Sequence, residues 1–114
     1  MIRIYHNPRC STSRKALETL QATGRPVEVV EYLHHLPPRD ALRELIRAAG
    51  LTVREALRAK EPAYESLGLA DPALTDEQLL DAIERHPVLL NRPFVVTDKG
   101  TRLCRPFDTI QEIL

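Results

Sequence analysis

The sequence contains little cysteine, no excess of either charge and no long apolar run, and each shortage excludes a class of protein. Sixteen basic residues balance sixteen acidic residues. No run of Lys or Arg is long enough to follow a phosphate backbone, which argues against nucleic acid as a partner. No apolar stretch approaches the roughly 20 residues of a membrane helix, and no segment has the pattern of a secretory leader. We therefore expect a soluble cytoplasmic protein whose two cysteines are free thiols.

Clustered metal ligands are also scarce. The pair His34-His35 and the single His86 have no carboxylate or further histidine near them at the spacing of metal ligands. We therefore expect no metal site and no bound cofactor.

The first third of the chain has the pattern of a β-α-β unit. Residues 2–5 form a β-branched and aromatic run that Asn7-Pro8 must end, because the residue before proline is disfavoured in helix. Apolar spacing at Ala16, Leu17 and Leu20 predicts a helix over about residues 11–23. Residues 26–32 are again β-branched, and the resulting pair of strands should be parallel, with a right-handed connection.

The rest of the chain is helical first and then returns to strands. Residues 40–49 have helical spacing, and two capping boxes, at residues 52–55 and 75–78, predict further helix starts. We interpret about 39–85 as a helical insertion in a single domain of 114 residues. Residues 94–97 and 101–104 flank a short turn and predict an antiparallel hairpin, followed by a closing helix from Phe107.

This order of elements predicts an α/β, thioredoxin-like fold, with a mixed four-stranded sheet, flanking helices and the helical insertion. In such a fold the Arg92-Pro93 bond, just before the third strand, would face the first turn of the first helix. We predict that this bond is cis, although only about 5–6% of X-Pro bonds are.

Cys10 is the candidate reactive group, because it stands at the N-cap of the first predicted helix. Unpaired N–H groups and the positive end of the helix dipole stabilise a thiolate there. Ser13 occupies the position where a dithiol protein carries its second cysteine, so a C-x-x-C disulfide is excluded and any resolving thiol must come from outside. A cysteine at a helix start can also be purely structural.

Three separated motifs resemble those of the glutaredoxin-linked arsenate reductase family. They are His6-Asn7-Pro8-x-Cys10-x-x-Ser13-Arg14, then Glu61-Pro62-x-Tyr64-x-x-Leu67-Gly68-Leu69, and finally Asn91-Arg92-Pro93 with Gly100-Thr101-Arg102-Leu103-Cys104-Arg105-Pro106. The resemblance covers nearly the whole chain and implies a role in arsenic resistance.

The resemblance implies that Cys10 is the nucleophile and that Arg58, Arg92 and Arg105 bind the oxyanion. A tetrahedral, multiply charged anion suits several guanidinium forks, because an unpaired buried charge is costly. The predicted fold independently brings Arg92 and Arg105 toward Cys10. Arg58, in the insertion, could close over the site, although an arginine on an exposed helix face is common and the nearby Arg54 could be mistaken for it.

The implied mechanism is attack of the Cys10 thiolate on arsenic with loss of water. Glutathione then attacks, two electrons pass to arsenic, and glutaredoxin resolves the glutathione-bound intermediate. His6 is a possible tuning residue that could favour the thiolate or orient the loop. We interpret Cys104 as a buried residue of a strand that takes no part in catalysis.

Two other functions remain open on the same fold. One is a redox regulator that associates with RNA polymerase, although that branch often has C-x-x-C. The other is a glutathione-linked thiol protein with a different substrate. The phosphatase-like class of arsenate reductases is excluded, because it needs an arginine six positions after the cysteine, where this chain has Ala16.

Overall fold

A four-stranded mixed sheet forms the first of two units in the computed structural model, which describes all of residues 1–114. This sheet unit comprises Met1–His35 and Arg92–Leu114. Its strands are β1 (Ile2–His6), β2 (Val27–Glu31), β3 (Phe94–Thr97) and β4 (Gly100–Leu103), in the order β2-β1-β3-β4. β1 is parallel to β2, and β3 is antiparallel to both β1 and β4. The predicted thioredoxin-like sheet is confirmed.

Helix α1 (Ser11–Gln21) connects the two parallel strands. Its buried residues Ala16 and Leu20 belong to one apolar cluster with Ile4 of β1 and Val95 of β3. After α1 the chain turns at Gly24, whose positive φ of 76° favours glycine. The sequence therefore encodes both the apolar face of the helix and its end.

The end of the sheet unit departs in detail from the sequence prediction. The predicted closing helix is present, but Phe107–Ile113 is a 3₁₀ helix. The Ile113 carbonyl accepts a hydrogen bond of 2.6 Å from the Thr97 hydroxyl, which ties this helix to β3. The Arg92-Pro93 bond is cis, as predicted, and Arg105-Pro106 is also cis. The second cis bond was not expected.

The helical unit comprises Leu36–Asn91. It contains α2 (Arg39–Ala48), α3 (Pro62–Ser66) and α4 (Asp76–Arg85), with 3₁₀ turns at Arg54–Ala56 and Pro87–Leu89. Its bounds lie a few residues outside the insertion expected over about 39–85. The expectation that the chain is a single domain stays a prediction.

The two predicted capping boxes have different outcomes. Thr75 and Gln78 form both reciprocal hydrogen bonds at the start of α4. Thr52 and Glu55 also bond reciprocally, at 2.9 and 3.2 Å, but only a single 3₁₀ turn follows. The predicted helix is cut short because the chain becomes extended at Leu57, which forms a β-bridge with Leu90.

The helical unit packs through the apolar faces of its helices and carries ion pairs on its surface. Each of α2 and α4 buries aliphatic residues at helical spacing: Leu42, Leu45 and Ile46 on α2, and Leu79, Leu80 and Ile83 on α4. Arg39 of α2 forms ion pairs with Glu77, Asp81 and Glu84 of α4. None of the helices has the length and apolar character needed to cross a membrane.

Candidate active site

Cys10 is the N-cap residue of α1, as predicted, and its backbone is extended. Its N–H donates to the Asn7 carbonyl at 3.0 Å, and its own carbonyl accepts from the N–H of Arg14 at 3.0 Å. The thiol is partly exposed. A nucleophile at the start of a helix is therefore held by backbone hydrogen bonds on both sides while remaining accessible.

Arg105 contacts the thiol directly. Its Nη2 donates to the Cys10 Sγ at 3.3 Å, and its Nε donates to the Arg92 carbonyl at 3.1 Å. The second bond fixes the plane of the guanidinium group, because two of its nitrogens are then held at once. Arg92 itself is buried, and its guanidinium is one of the groups that lower the pKa of the Cys10 thiol. The structure thus brings two of the three predicted arginines to Cys10.

The surroundings of Cys10 favour its thiolate. Burial raises the pKa of the Cys10 thiol, but the backbone N–H of Ser13 and the hydrogen bond from Arg92 lower it. The charge of Arg105 and the N–H of Thr12 lower it further, so the pKa lies below the usual 9.0. This is the direction expected at a helix N-terminus flanked by cations.

Buried polar side chains form a hydrogen-bonded network next to the loop that carries Cys10. The Ser13 hydroxyl lies 2.6 Å from the Nδ1 of His6 and accepts from the N–H of Asn7 at 3.0 Å. Burial lowers the pKa of His6, Glu31 opposes this shift, and Arg14 adds to it. The lowered pKa favours the neutral imidazole, whose Nδ1 can accept a hydrogen bond from the Ser13 hydroxyl.

Sequence reasoning recognised Ser13 only as a missing second cysteine, yet its hydroxyl organises the loop. Arg14, which the sequence analysis named only as the last residue of the first motif, donates from its guanidinium to the Pro8 carbonyl at 2.8 Å. Asn7 was recognised only as part of a motif and as a strand end. A small polar residue three positions after a helix N-cap was the signal that could have indicated such a network.

Arg58 lies in the helical unit, between a 3₁₀ turn and α3. Its Nε is 3.2 Å from a carboxylate oxygen of Glu61, and its backbone N–H donates to the Leu89 carbonyl at 2.7 Å. Arg54 has a different set of partners: its guanidinium donates to the backbone carbonyls of Leu69 and Asp71, both at 2.8 Å. Arg54 is thus a structural residue, whereas oxyanion binding by Arg58 stays a prediction.

Cys104 is fully buried in the apolar cluster of the sheet unit, as the sequence predicted. Burial raises the pKa of its thiol to about 12, Glu112 adds to the shift, and Arg102 opposes it. The Cys104 thiol is therefore protonated at neutral pH. No group of three or more His, Cys, Asp or Glu side chains is placed to hold a metal ion.

Fold and site together define a thioredoxin-fold protein with a single activated thiol beside two guanidinium groups. The family model described as the ArsC family matches residues 5–113. The chain therefore belongs to the ArsC family.

Curated relatives and a solved structure agree with this assignment. The arsenate reductases of Rhizobium meliloti strain 1021 and Escherichia coli strain K12 are 52% and 49% identical to the chain over 113 residues. The matches cover 99% of the chain and 81% and 80% of those proteins. An arsenate reductase structure from Vibrio cholerae is similar with a TM-score of 0.92 and 40% identity, covering 99% of this chain and 97% of that one.

Proposed function

We propose that this protein reduces arsenate to arsenite, with Cys10 as the only nucleophilic thiol and with glutathione and glutaredoxin as its reductants. The observation that carries the proposal is the 3.3 Å contact between Arg105 Nη2 and Cys10 Sγ at the start of α1. A cation in contact with an activated thiol supports a site at which one tetrahedral anion touches both groups. The activity of the named relatives supports arsenate as that anion.

In the proposed complex, arsenate lies against the first turn of α1. Arg92 and Arg105 donate to its oxygens, together with N–H groups of the helix start, and Arg58 completes the set. Guanidinium forks fit the oxygens of a tetrahedral anion, because each can donate two parallel hydrogen bonds. The same positive groups that bind the anion also keep Cys10 ionised.

The proposed first step is attack of the Cys10 thiolate on arsenic. An S–As bond forms, and one arsenate oxygen leaves as water after it is protonated. Arsenic remains pentavalent in this adduct. Loss of water requires protons, and the product is held by the same arginines.

Reduction then needs two electrons, and two external thiols supply them. Glutathione attacks arsenic and displaces a second oxygen as water, so that pentavalent arsenic is bonded to both Cys10 and glutathione. A glutaredoxin thiolate then attacks the glutathione sulfur; the bond between that sulfur and arsenic breaks, its electron pair stays on arsenic, which becomes trivalent, and the two external thiols become one mixed disulfide. Water finally hydrolyses the bond between Cys10 and trivalent arsenic, which releases arsenite and regenerates the Cys10 thiol. An external resolving thiol is required, because position 13 is serine and Cys104 is buried and protonated.

The proposal is tested by a coupled assay that follows NADPH oxidation with arsenate, glutathione, glutaredoxin and glutathione reductase. We expect turnover that requires all four additions and that produces arsenite in a one-to-one ratio to NADPH consumed. Turnover with a dithiol thioredoxin system in place of glutaredoxin would contradict the reductant assignment. Absence of arsenite formation, with the protein folded and Cys10 reduced, would contradict the substrate.

A further inference from the structure

Asn7 connects the Cys10 loop to a buried tyrosine just after β2. The side-chain Nδ2 of Asn7 donates to the hydroxyl of Tyr32 at 3.3 Å, and its Oδ1 accepts from the N–H of Arg9 at 3.0 Å. Asn7 is 2% exposed and Tyr32 is fully buried. Both ends of the Asn7 amide are thus occupied away from solvent.

This arrangement fixes the orientation of the Asn7 amide. The N–H of Arg9 can only donate, so the oxygen of the amide must face it and the nitrogen must face Tyr32. A buried amide donor without an acceptor is costly, so rotation away from Tyr32 is disfavoured. The tyrosine hydroxyl therefore holds Asn7 in one conformation.

The backbone of Asn7 transmits this restraint to the reactive residue. Its carbonyl accepts the hydrogen bond from the N–H of Cys10, and its own N–H donates to the Ser13 hydroxyl. A shift of Asn7 would move Cys10 relative to the N–H groups of Thr12 and Ser13. Hydrogen bonds from those groups weaken steeply with misalignment.

We propose that Tyr32 is a positioning residue for the reactive thiol, and that it acts through the side chain of Asn7. The hydrogen-bonded route runs from the Tyr32 hydroxyl through the Asn7 side chain to the backbone N–H of Cys10, so the effect is transmitted through Asn7. The inference rests on the proposed function only in taking Cys10 as the reacting group. Its test does not use arsenate turnover, so the two proposals can fail separately.

The test compares Tyr32→Phe with Tyr5→Phe, which is its matched control. Each substitution removes one hydroxyl from a buried tyrosine of the sheet unit and introduces no charge. Tyr5 lies in β1 and is 8% exposed, and the charged group that it influences is Arg3 of the same strand. The measurement is the rate of Cys10 alkylation by iodoacetamide as a function of pH. Cys104 does not interfere, because it is buried.

We expect Tyr32→Phe to raise the apparent pKa of Cys10 by about half a pH unit, because the thiolate loses aligned N–H donors. Tyr5→Phe should titrate like the unmodified protein. If Tyr32→Phe also titrates like the unmodified protein, the inference is wrong. Circular dichroism confirms that each variant is folded before it is titrated.

A double-mutant cycle tests the route through Asn7. In an Asn7→Ala background, the shift caused by Tyr32→Phe should disappear, because the connecting side chain is already gone. A shift that persists undiminished would overturn the route, since Tyr32 would then act on Cys10 by another path. If Asn7→Ala does not fold, Asn7→Ser replaces it in the cycle, and the Tyr32→Phe titration remains decisive alone.

Discussion

The sheet unit and the helical unit bury very different side chains. All six buried polar or charged residues lie in the sheet unit: His6, Asn7, Ser13, Arg92, Thr97 and Thr101. The buried residues of the helical unit are all apolar. Several of its charged residues form ion pairs at the surface, whereas the pair of Arg58 and Glu61 is largely shielded. Burying a polar group is costly unless it is hydrogen-bonded. Four of the six take part in the network and contacts around Cys10, so this cost is concentrated where the reactive group is.

The difference suggests distinct consequences of substitution in each unit. Changes near Cys10 should alter reactivity more than stability, because they act on one charged atom. Changes in the helical unit should alter stability according to the apolar area that they remove.

Cys10→Ser should reduce arsenate turnover by more than about a thousandfold, because a serine hydroxyl is not ionised at neutral pH and cannot replace the thiolate. The free energy of unfolding should change little, since the side chain is similar in size and partly exposed. The coupled NADPH assay and urea unfolding measure the two quantities. Cys104→Ala is the matched control and should retain most of the turnover. A Cys10–Cys104 disulfide in the oxidised protein, detected by mass spectrometry, would contradict this assignment.

Arg105→Ala should lower turnover by about a hundredfold, because it removes a charged donor from both the oxyanion and the thiolate. The apparent pKa of Cys10 should rise, since a nearby positive charge favours the ionised form. Iodoacetamide alkylation against pH measures that pKa. Arg105→Lys should restore only part of the activity, because an ammonium group keeps the charge but loses the fork.

Arg102→Ala provides the control for Arg105→Ala. Arg102 stands three positions earlier and pairs with the exposed Glu112 at 3.1 Å. Its removal should leave both turnover and the pKa of Cys10 unchanged. Equal effects of the two substitutions would mean that net charge, rather than the contact with Cys10, sets the reactivity of the thiol.

Cys104 gives the sheet unit a specific sensitivity to alkaline pH. Because its pKa is raised from 9.0 to about 12 in the folded protein, the unfolded chain loses this proton first as pH rises. The contribution of Cys104 to stability is therefore full below pH 9 and is lost as the pH rises toward 12. The expected loss is about 1.4 kcal/mol for each pH unit in that window.

The comparison with Cys104→Ala isolates this contribution from the other groups that titrate at high pH. Urea unfolding of both proteins between pH 8 and pH 11 gives the difference in their free energies of unfolding. As the pH rises, the free energy of unfolding of the unmodified protein should fall relative to that of Cys104→Ala. A difference that is independent of pH would mean that the Cys104 thiol is not protected from ionisation.

The fold could be predicted from the sequence mainly where local patterns determine it. β-Branched runs gave β1 and β2, the 3.6-residue spacing of Ala16 and Leu20 gave α1, and proline before the third strand suggested the cis bond at Arg92-Pro93. The 3₁₀ geometry of the last helix could not be predicted from local spacing. This helix is hydrogen-bonded to β3, a strand that precedes it by about ten residues. The short turn after Thr52 was missed for the same reason, since Leu90 pairs with the residue that ends it.

The candidate site was predictable in its charged groups and not in its hydrogen bonds. Cys10, Arg92 and Arg105 could be named because the resemblance identified them and the predicted fold brought them together. The bond between Asn7 and Tyr32 joins residues 25 positions apart, and no local spacing indicates it. The sequence also could not show that the Arg54 guanidinium would donate to backbone carbonyls. Those hydrogen bonds depend on the path of the chain after α3, which brings the carbonyls of Leu69 and Asp71 to Arg54.

The smallest expected effect is that of Arg39→Ala in the helical unit. Although Arg39 pairs with three acidic residues of α4, exposed ion pairs contribute little, because water and salt screen them and the side chains lose entropy. The urea midpoint should fall slightly at low ionic strength, and the difference from the unmodified protein should vanish in about 1 M NaCl, where the Debye length is about 3 Å.

Ile83→Ala is the comparison variant, because it removes a fully buried side chain from α4, the helix with which Arg39 forms its ion pairs. It should lower the free energy of unfolding by about 2–5 kcal/mol at any salt concentration. If Arg39→Ala were as damaging as Ile83→Ala, and remained so in high salt, the helical unit would depend on its ion pairs rather than on its apolar faces.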